Sequence, residues 1–196
     1  MRIVGGKWRG RRIEAPEGRG VTRPTTDRMR ESIASMILSA RGLDLSGESV
    51  LDAFAGSGAM GLELLSRGAA HATFVDRDRG AVARLRRSAQ TLGAQSSELH
   101  ALAGDVFSLV SRGLPGAPFH VVFLDPPYAF DAERVSGLVE DLANSGQLAV
   151  EAVVVYEHAS DAPGLCAGCL ELVRTKSHGT TAVDLLVLRG GERDEQ

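Results

Sequence analysis

From Ser49 onward, short apolar runs alternate with segments of helical periodicity, and no other feature of the chain constrains its fold as strongly. Strands are predicted at Ser49–Phe54, His71–Val75, Leu99–Ala103, Phe119–Leu124 and Ala149–Glu157. Helices are predicted between them at residues 58–67, 80–92, 105–111 and 131–144. A run such as Phe119–Leu124, apolar with little alternation, suits a central strand covered on both faces. The closing runs Leu170–Lys176 and Thr180–Leu188 have no helix between them, so an antiparallel hairpin should end the sheet. The expected architecture is α/β: a doubly wound, Rossmann-like, seven-stranded sheet with a terminal antiparallel hairpin. At 196 residues the chain can bury one sizeable core.

The first predicted strand runs into Leu51-Asp52-Ala53-Phe54-Ala55-Gly56-Ser57-Gly58-Ala59-Met60-Gly61. Gly56-x-Gly58-x-x-Gly61 matches the dinucleotide fingerprint literally, and Asp76 lies 20 residues beyond Gly56 at the end of strand two. Glycines there let the backbone turn tightly and approach a ligand, and the acid can accept both hydroxyls of a ribose. Nicotinamide and S-adenosyl-L-methionine cofactors both satisfy that pattern, and a glycine turn with no ligand is the plain alternative. Asp52 tilts the choice, because a carboxylate beside the glycines suits a cationic ammonium better than a pyrophosphate. Asp105, after strand three, can accept from an adenine amino group or simply cap a helix. The candidate cofactor contacts are thus Asp52, Phe54, Ala55, Gly56, Ser57, Gly58, Asp76, Arg77, Asp105 and Val106.

The most specific signal follows the fourth strand: Asp125-Pro126-Pro127-Tyr128. An exocyclic amine on a nucleobase is a poor nucleophile because its lone pair is delocalised into the ring. A carboxylate and a proline carbonyl can each accept one amine hydrogen and turn the lone pair toward an electrophile. The prolines stiffen the backbone and remove competing N–H donors. Tyr128 offers a flat face for a base that has left its stack. The position matters as much as the residues, since ligands bind beyond the carboxyl ends of strands at the switch point, here between strands one and four. A plain Pro-Pro turn capped by Asp is the bland alternative. Asp125, Pro126, Pro127 and Tyr128 are the candidate catalytic residues.

Charge is divided unevenly. Residues 1–41 hold ten Lys/Arg and four acids, net +6, which leaves −9 on the rest and −3 overall. A basic arm on an acidic body can hold a polyanion on one face, although a solvated basic hairpin would read the same way. The candidate RNA contacts are Lys7, Arg9, Arg11, Arg12, Arg23, Thr25, Arg28 and Arg30. Glycines around residues 5–10 suggest a short hairpin, and Met29, Ile33, Met36, Ile37 and Ala40 give an apolar helix face starting near Thr26-Asp27 and ending at Gly42. Residues 1–42 therefore read as a basic extension, 43–190 as a catalytic domain and 191–196 as a polar tail. Cys166 and Cys169 lack the second pair of ligands that a structural zinc site needs, and the five histidines are scattered, so no metal is expected. No apolar run reaches the ~20 residues of a membrane span, and the N-terminus lacks a signal-peptide core, so a cytoplasmic protein is expected.

With these residues in view, the chain resembles the RsmD family, bacterial methyltransferases acting on the 2-amino group of one guanosine in small-subunit (16S) ribosomal RNA. The resemblance runs from Arg2-Ile3-Val4-Gly5-Gly6-Lys7-Trp8-Arg9-Gly10-Arg11 through Arg23-Pro24-Thr25-Thr26-Asp27-Arg28-Met29-Arg30-Glu31, Leu51–Glu63, Leu65–Ala69 and Phe123–Tyr128. It implies a class I methyltransferase fold with a small N-terminal extension and S-adenosyl-L-methionine as cofactor. It places Asp125–Tyr128 at the amine and Gly56, Gly58, Asp76 and Asp105 at the cofactor. It also implies an assembling small subunit, rather than naked RNA, as substrate, met by a monomer. Asp76 stands where many relatives have Glu, and Lys176–Thr181 lacks the tyrosine the family pattern has after the glycine.

Overall fold

The computed structural model describes residues 1–15, 26–127 and 130–190. Seven strands form one sheet in the order β3-β2-β1-β4-β5-β7-β6. They are β1 (Ser49–Asp52), β2 (His71–Asp76), β3 (Leu99–Ala103), β4 (Phe119–Leu124), β5 (Leu148–Ala159), β6 (Leu170–His178) and β7 (Thr181–Leu188). β1 to β5 are parallel neighbours, and β7 pairs antiparallel with both β5 and β6, which is the terminal hairpin expected from the sequence. The chain order reverses between β1 and β4, creating the switch point.

Alternating side chains of each central strand enter two cores. Val50, Val121, Val153 and Val155 pack with α1 (Asp27–Ala40), α2 (Ala59–Ser66) and α3 (Arg79–Leu92) on one face. Leu51, Val122, Val154 and Tyr156 pack with α4 (Val106–Val110) and α5 (Ala132–Asn144) on the other. This two-sided burial explains why the strands read as unbroken apolar runs. Thr26, Asp78 and Asp131 begin α1, α3 and α5, their side chains accepting from the Met29, Gly80 and Arg134 amides. On α1, Ile33, Met36 and Ile37 are buried as the periodicity predicts.

The N-terminal hairpin is reduced to one bridge, Arg2–Arg12, closed by a 3-10 turn at Gly6–Trp8. Ile3, Trp8 and Ile13 are buried in the same core as α1, α2 and α3. The anchor is Glu63, a fully buried acid on α2. Its carboxylate accepts from the Val4 and Gly5 amides at 2.7 and 2.8 Å and pairs with Arg67 at 2.8 Å. Gly6 is pressed so closely on α2 that a Cβ there would lie 1.8 Å from the Ser66 carbonyl oxygen. Among the described residues, no helix is long and apolar enough to cross a membrane.

Candidate active site

Four strands deliver carboxylates to the carboxyl edge of the sheet. β1 ends at Asp52, which is almost wholly buried and accepts from the Gly61 amide in the first turn of α2 at 3.1 Å. The chain then turns through Gly56 and Gly58, both with positive φ (52° and 71°). The two glycines differ in purpose. A Cβ on Gly58 would strike Leu85 Cδ1 at 1.6 Å, so that glycine serves packing, whereas a Cβ on Gly56 would meet nothing within 4 Å. At the end of β2, Asp76 accepts from the Gly56 amide at 2.6 Å and the Asp78 amide at 2.8 Å, so it braces the glycine turn. Asp105 stands at the start of α4 but its side chain makes no capping bond. Instead, one oxygen pairs with Arg77 at 2.6 Å, and the other is buried with no hydrogen-bond partner among the described residues.

β4 runs beside β1 and carries Asp125, Pro126 and Pro127 to the same edge, with the Phe130 amide donating to the Pro127 carbonyl at 3.0 Å. Tyr128 lies outside the described residues, as do Arg23 and Thr25. A cleft of about 420 Å³ joins these segments, a size within the range of small-molecule sites. Its lining includes every predicted cofactor contact except Gly58, together with Asp125, Pro126 and Pro127.

The cleft concentrates negative charge in a poorly solvated place. Burial, joined by the nearby Asp125 and Asp76 carboxylates, pushes Asp52 up to about 7 against the lowering effect of the Gly61 hydrogen bond. Asp125 can be reached by solvent along the cleft but is otherwise enclosed by protein, which pushes it up to about 6. Such an arrangement favours a cationic ligand. Beside it, Phe54, Phe107 and Phe130 form a ring cluster with centroids 5.5 to 6.2 Å apart, and Arg134 lies over Phe107 and Phe130.

The structure also brings residues to the cleft that the sequence reading missed. Met1, Phe130, Glu157, Thr180 and Thr181 line it. Glu157 and the two threonines could have been found by extending the topology, since the β6–β7 turn must return to the carboxyl edge beside the end of β5.

Several of the candidate RNA contacts are engaged within the protein itself. Arg30 stands at the entrance, as its place before the cleft suggested, but its guanidinium is bound internally. The residue is 1% exposed and lines the cleft, and its guanidinium donates to the Arg2 carbonyl and to Asp27, each at 2.6 Å. Lys7 pairs with Glu98 at 2.6 Å and lies over the Trp8 ring, and Arg11 donates to the Thr91 carbonyl. Glu98 precedes β3 and Thr91 ends α3, so both contacts sit at the amino edge of the sheet, opposite the cleft. Arg9, Arg12 and Arg28 are exposed. Cys166 and Cys169 are free thiols, and no group of metal-binding side chains occurs among the described residues.

The family model described as "Conserved hypothetical protein 95" matches residues 1–187. The chain is similar to "Ribosomal RNA small subunit methyltransferase D" of Escherichia coli, at 38% identity over 80% of this chain and 74% of that protein. The protein of the same name from Haemophilus influenzae is 31% identical over 94% of this chain and 92% of its own length. The solved structure of the Escherichia coli protein yhhF superposes with a TM-score of 0.79 at 31% identity, covering 96% of this chain and 98% of that one.

Proposed function

Because the chain belongs to the Conserved hypothetical protein 95 family, the RsmD family, we propose that it uses S-adenosyl-L-methionine to methylate the exocyclic 2-amino group of a guanosine in 16S ribosomal RNA. The observation that carries this reading is the shared cleft: Asp125-Pro126-Pro127 opens onto the same space as the glycine turn, Asp52 and Asp76. An assembling small subunit in the cytoplasm, met by a monomer, is the context that accompanies the family.

The residues present fit a cationic adenosine cofactor. Gly56 leaves open space above the turn, Asp105 keeps one buried oxygen without a partner among the described residues, and Asp52 awaits a compensating cation. In this reading Asp52 faces the ammonium, Asp76 the ribose and Asp105 the adenine amino group. When bound, the cofactor supplies an activated sulfonium methyl, so the protein's task is chiefly positioning. Asp125 Oδ and the Pro126 carbonyl each accept one amine hydrogen, and Tyr128 stacks on the extruded base. The methylated amine would shed a proton, which Asp125 would take before passing it to water. With a pKa near 6, Asp125 is ionised and able to do so at neutral pH. The exposed Arg9 and Arg12 contact phosphates.

The test is transfer of labelled methyl to small subunits and to naked 16S RNA from cells lacking this protein, with the base mapped by mass spectrometry. Label is expected on a guanine 2-amino group, with the rate rising through about pH 6. Asp125→Ala should abolish transfer while S-adenosylmethionine still binds. Label on another base, or full activity in that variant, would refute the proposal.

A further inference from the structure

A second groove lies outside the cleft. It runs between α1 and β6, encloses about 380 Å³, and is lined by Arg28, Ser32, Ser35 and Ser39 from the helix and Arg174 and Lys176 from the strand. Its direction follows from the topology. α1 begins beside the cleft, where Arg30 lines it, and ends near the start of β5, where Arg41 donates to the Glu151 carbonyl. β6 runs the opposite way and delivers Thr180 and Thr181 to the cleft. The groove therefore descends from the rim of the cleft along the outer edge of the sheet. Lys176 donates to Ser32 Oγ at 2.7 Å, which ties the two walls together.

We infer that this groove holds the sugar-phosphate backbone of the RNA whose base enters the cleft. The inference rests on the reading of the substrate as RNA. Its physical ground is the state of the cations. Arg2, Lys7 and Arg41 are engaged with Asp27, Glu98 and Glu48 of the protein itself. By contrast, no carboxylate among the described residues forms an ion pair with Arg28, Arg174 or Lys176, although Glu31 shares the groove. Three cations against one acid, on a chain of net charge −3, make a local positive track. Ser32, Ser35 and Ser39 recur at helical spacing along it. Their hydroxyls can donate to phosphate oxygens and pair with ribose 2′-hydroxyls, groups that cations alone do not read. β6 is exposed along most of its length, so a strand of RNA can lie against it.

The experiment measures binding of naked 16S RNA to the full chain across a salt series, and separately the KM and kcat of methyl transfer. The variants are Arg174→Ala/Lys176→Ala, the charge-keeping Arg174→Lys/Lys176→Arg, and Lys7→Ala/Arg11→Ala. Removing the two groove cations should lower the slope of log K against log salt by about 1.4, at about 0.7 per phosphate contact for a single strand. KM for RNA should rise with kcat and S-adenosylmethionine affinity unchanged, and the charge-keeping pair should restore it. Lys7→Ala/Arg11→Ala should leave the slope as it is. An unchanged slope and KM in Arg174→Ala/Lys176→Ala would overturn the groove while leaving methyl transfer to RNA intact. Weaker use of small subunits with unchanged binding of naked RNA would also overturn it, assigning the surface to a protein. Groove-dependent RNA binding without any methyl transfer would sustain the groove and sink the catalytic reading instead.

Discussion

Asp52→Asn separates what the cleft costs the fold from what it gives the ligand. The side chain is almost fully buried, and its carboxyl is raised from 3.8 to about 7 chiefly by burial. A carboxyl that binds its proton more tightly when folded destabilises the folded state as pH rises from about 4 through 7, and the penalty is flat above that. At about 1.4 kcal/mol per unit, the full penalty is roughly 4 kcal/mol above pH 7. Asparagine keeps an oxygen for the Gly61 amide but adds a buried NH₂ group that needs an acceptor, costing about 1–3 kcal/mol. The net expectation near pH 8 is a gain of about 2 kcal/mol, or roughly 4–8 °C in Tm for a chain of this length. As pH falls the gain should shrink and turn into a net loss of about 1–3 kcal/mol near pH 4, where the ionisation penalty is gone and only the asparagine cost remains. The same variant should bind S-adenosylmethionine at least tenfold more weakly, about 1.4 kcal/mol, if Asp52 faces the ammonium as proposed. Thermal melts of both proteins from pH 4 to 8, with calorimetric titration of the cofactor, measure both effects. Parallel melting curves, with no gain at pH 8, would show that Asp52 ionises without cost and would remove the electrostatic account of the cleft.

Two further substitutions test the scaffold. Gly58→Ala combines a positive φ of 71° with a Cβ placed 1.6 Å from Leu85 Cδ1, and should cost about 2–4 kcal/mol in urea unfolding with m unchanged. A loss under 0.5 kcal/mol would mean the turn relaxes freely. Glu63→Ala leaves the Val4 and Gly5 amides and Arg67 without their shared acceptor, and should cost about 3–5 kcal/mol. It should also expose the first residues to limited proteolysis, and an unchanged digestion pattern would argue against Glu63 as the anchor.

The parts of the fold that could be read from the sequence are those decided locally. Strand limits at Leu99–Ala103 and Phe119–Leu124 match the structure to the residue, because Gly104 and Asp105 stop the first and Pro118 and Asp125 bracket the second. The terminal hairpin followed from the missing helix between β6 and β7. Asp52, Asp76, Asp105 and Asp125 could be picked out because each ends a parallel strand, where topology alone brings it to one edge. Glu63 could not be found this way. Its position inside a helical pattern reads as a solvent-facing acid, and only the docking of a segment 58 and 59 residues away makes it a buried acceptor.

Charge shows the same limit from the other side. The count of +6 over residues 1–41 reads as an RNA-binding arm only if the cations are available. Lys7 meets Glu98 across 91 residues, and Arg87 meets Glu14 across 73, pairings that no local pattern announces. Exposed pairs of this kind contribute little stability, about 0–1 kcal/mol each. They nonetheless neutralise the field that a distant phosphate would feel. Positive potential is therefore strongest where cations lack neighbouring carboxylates, and composition alone cannot locate that place. Among the described residues the α1–β6 groove meets this condition, although two of its three cations, Arg174 and Lys176, lie far outside the basic segment. A net charge read along the chain raises a class of partner as a candidate, but the surface that meets the partner is set by which charges folding leaves uncompensated.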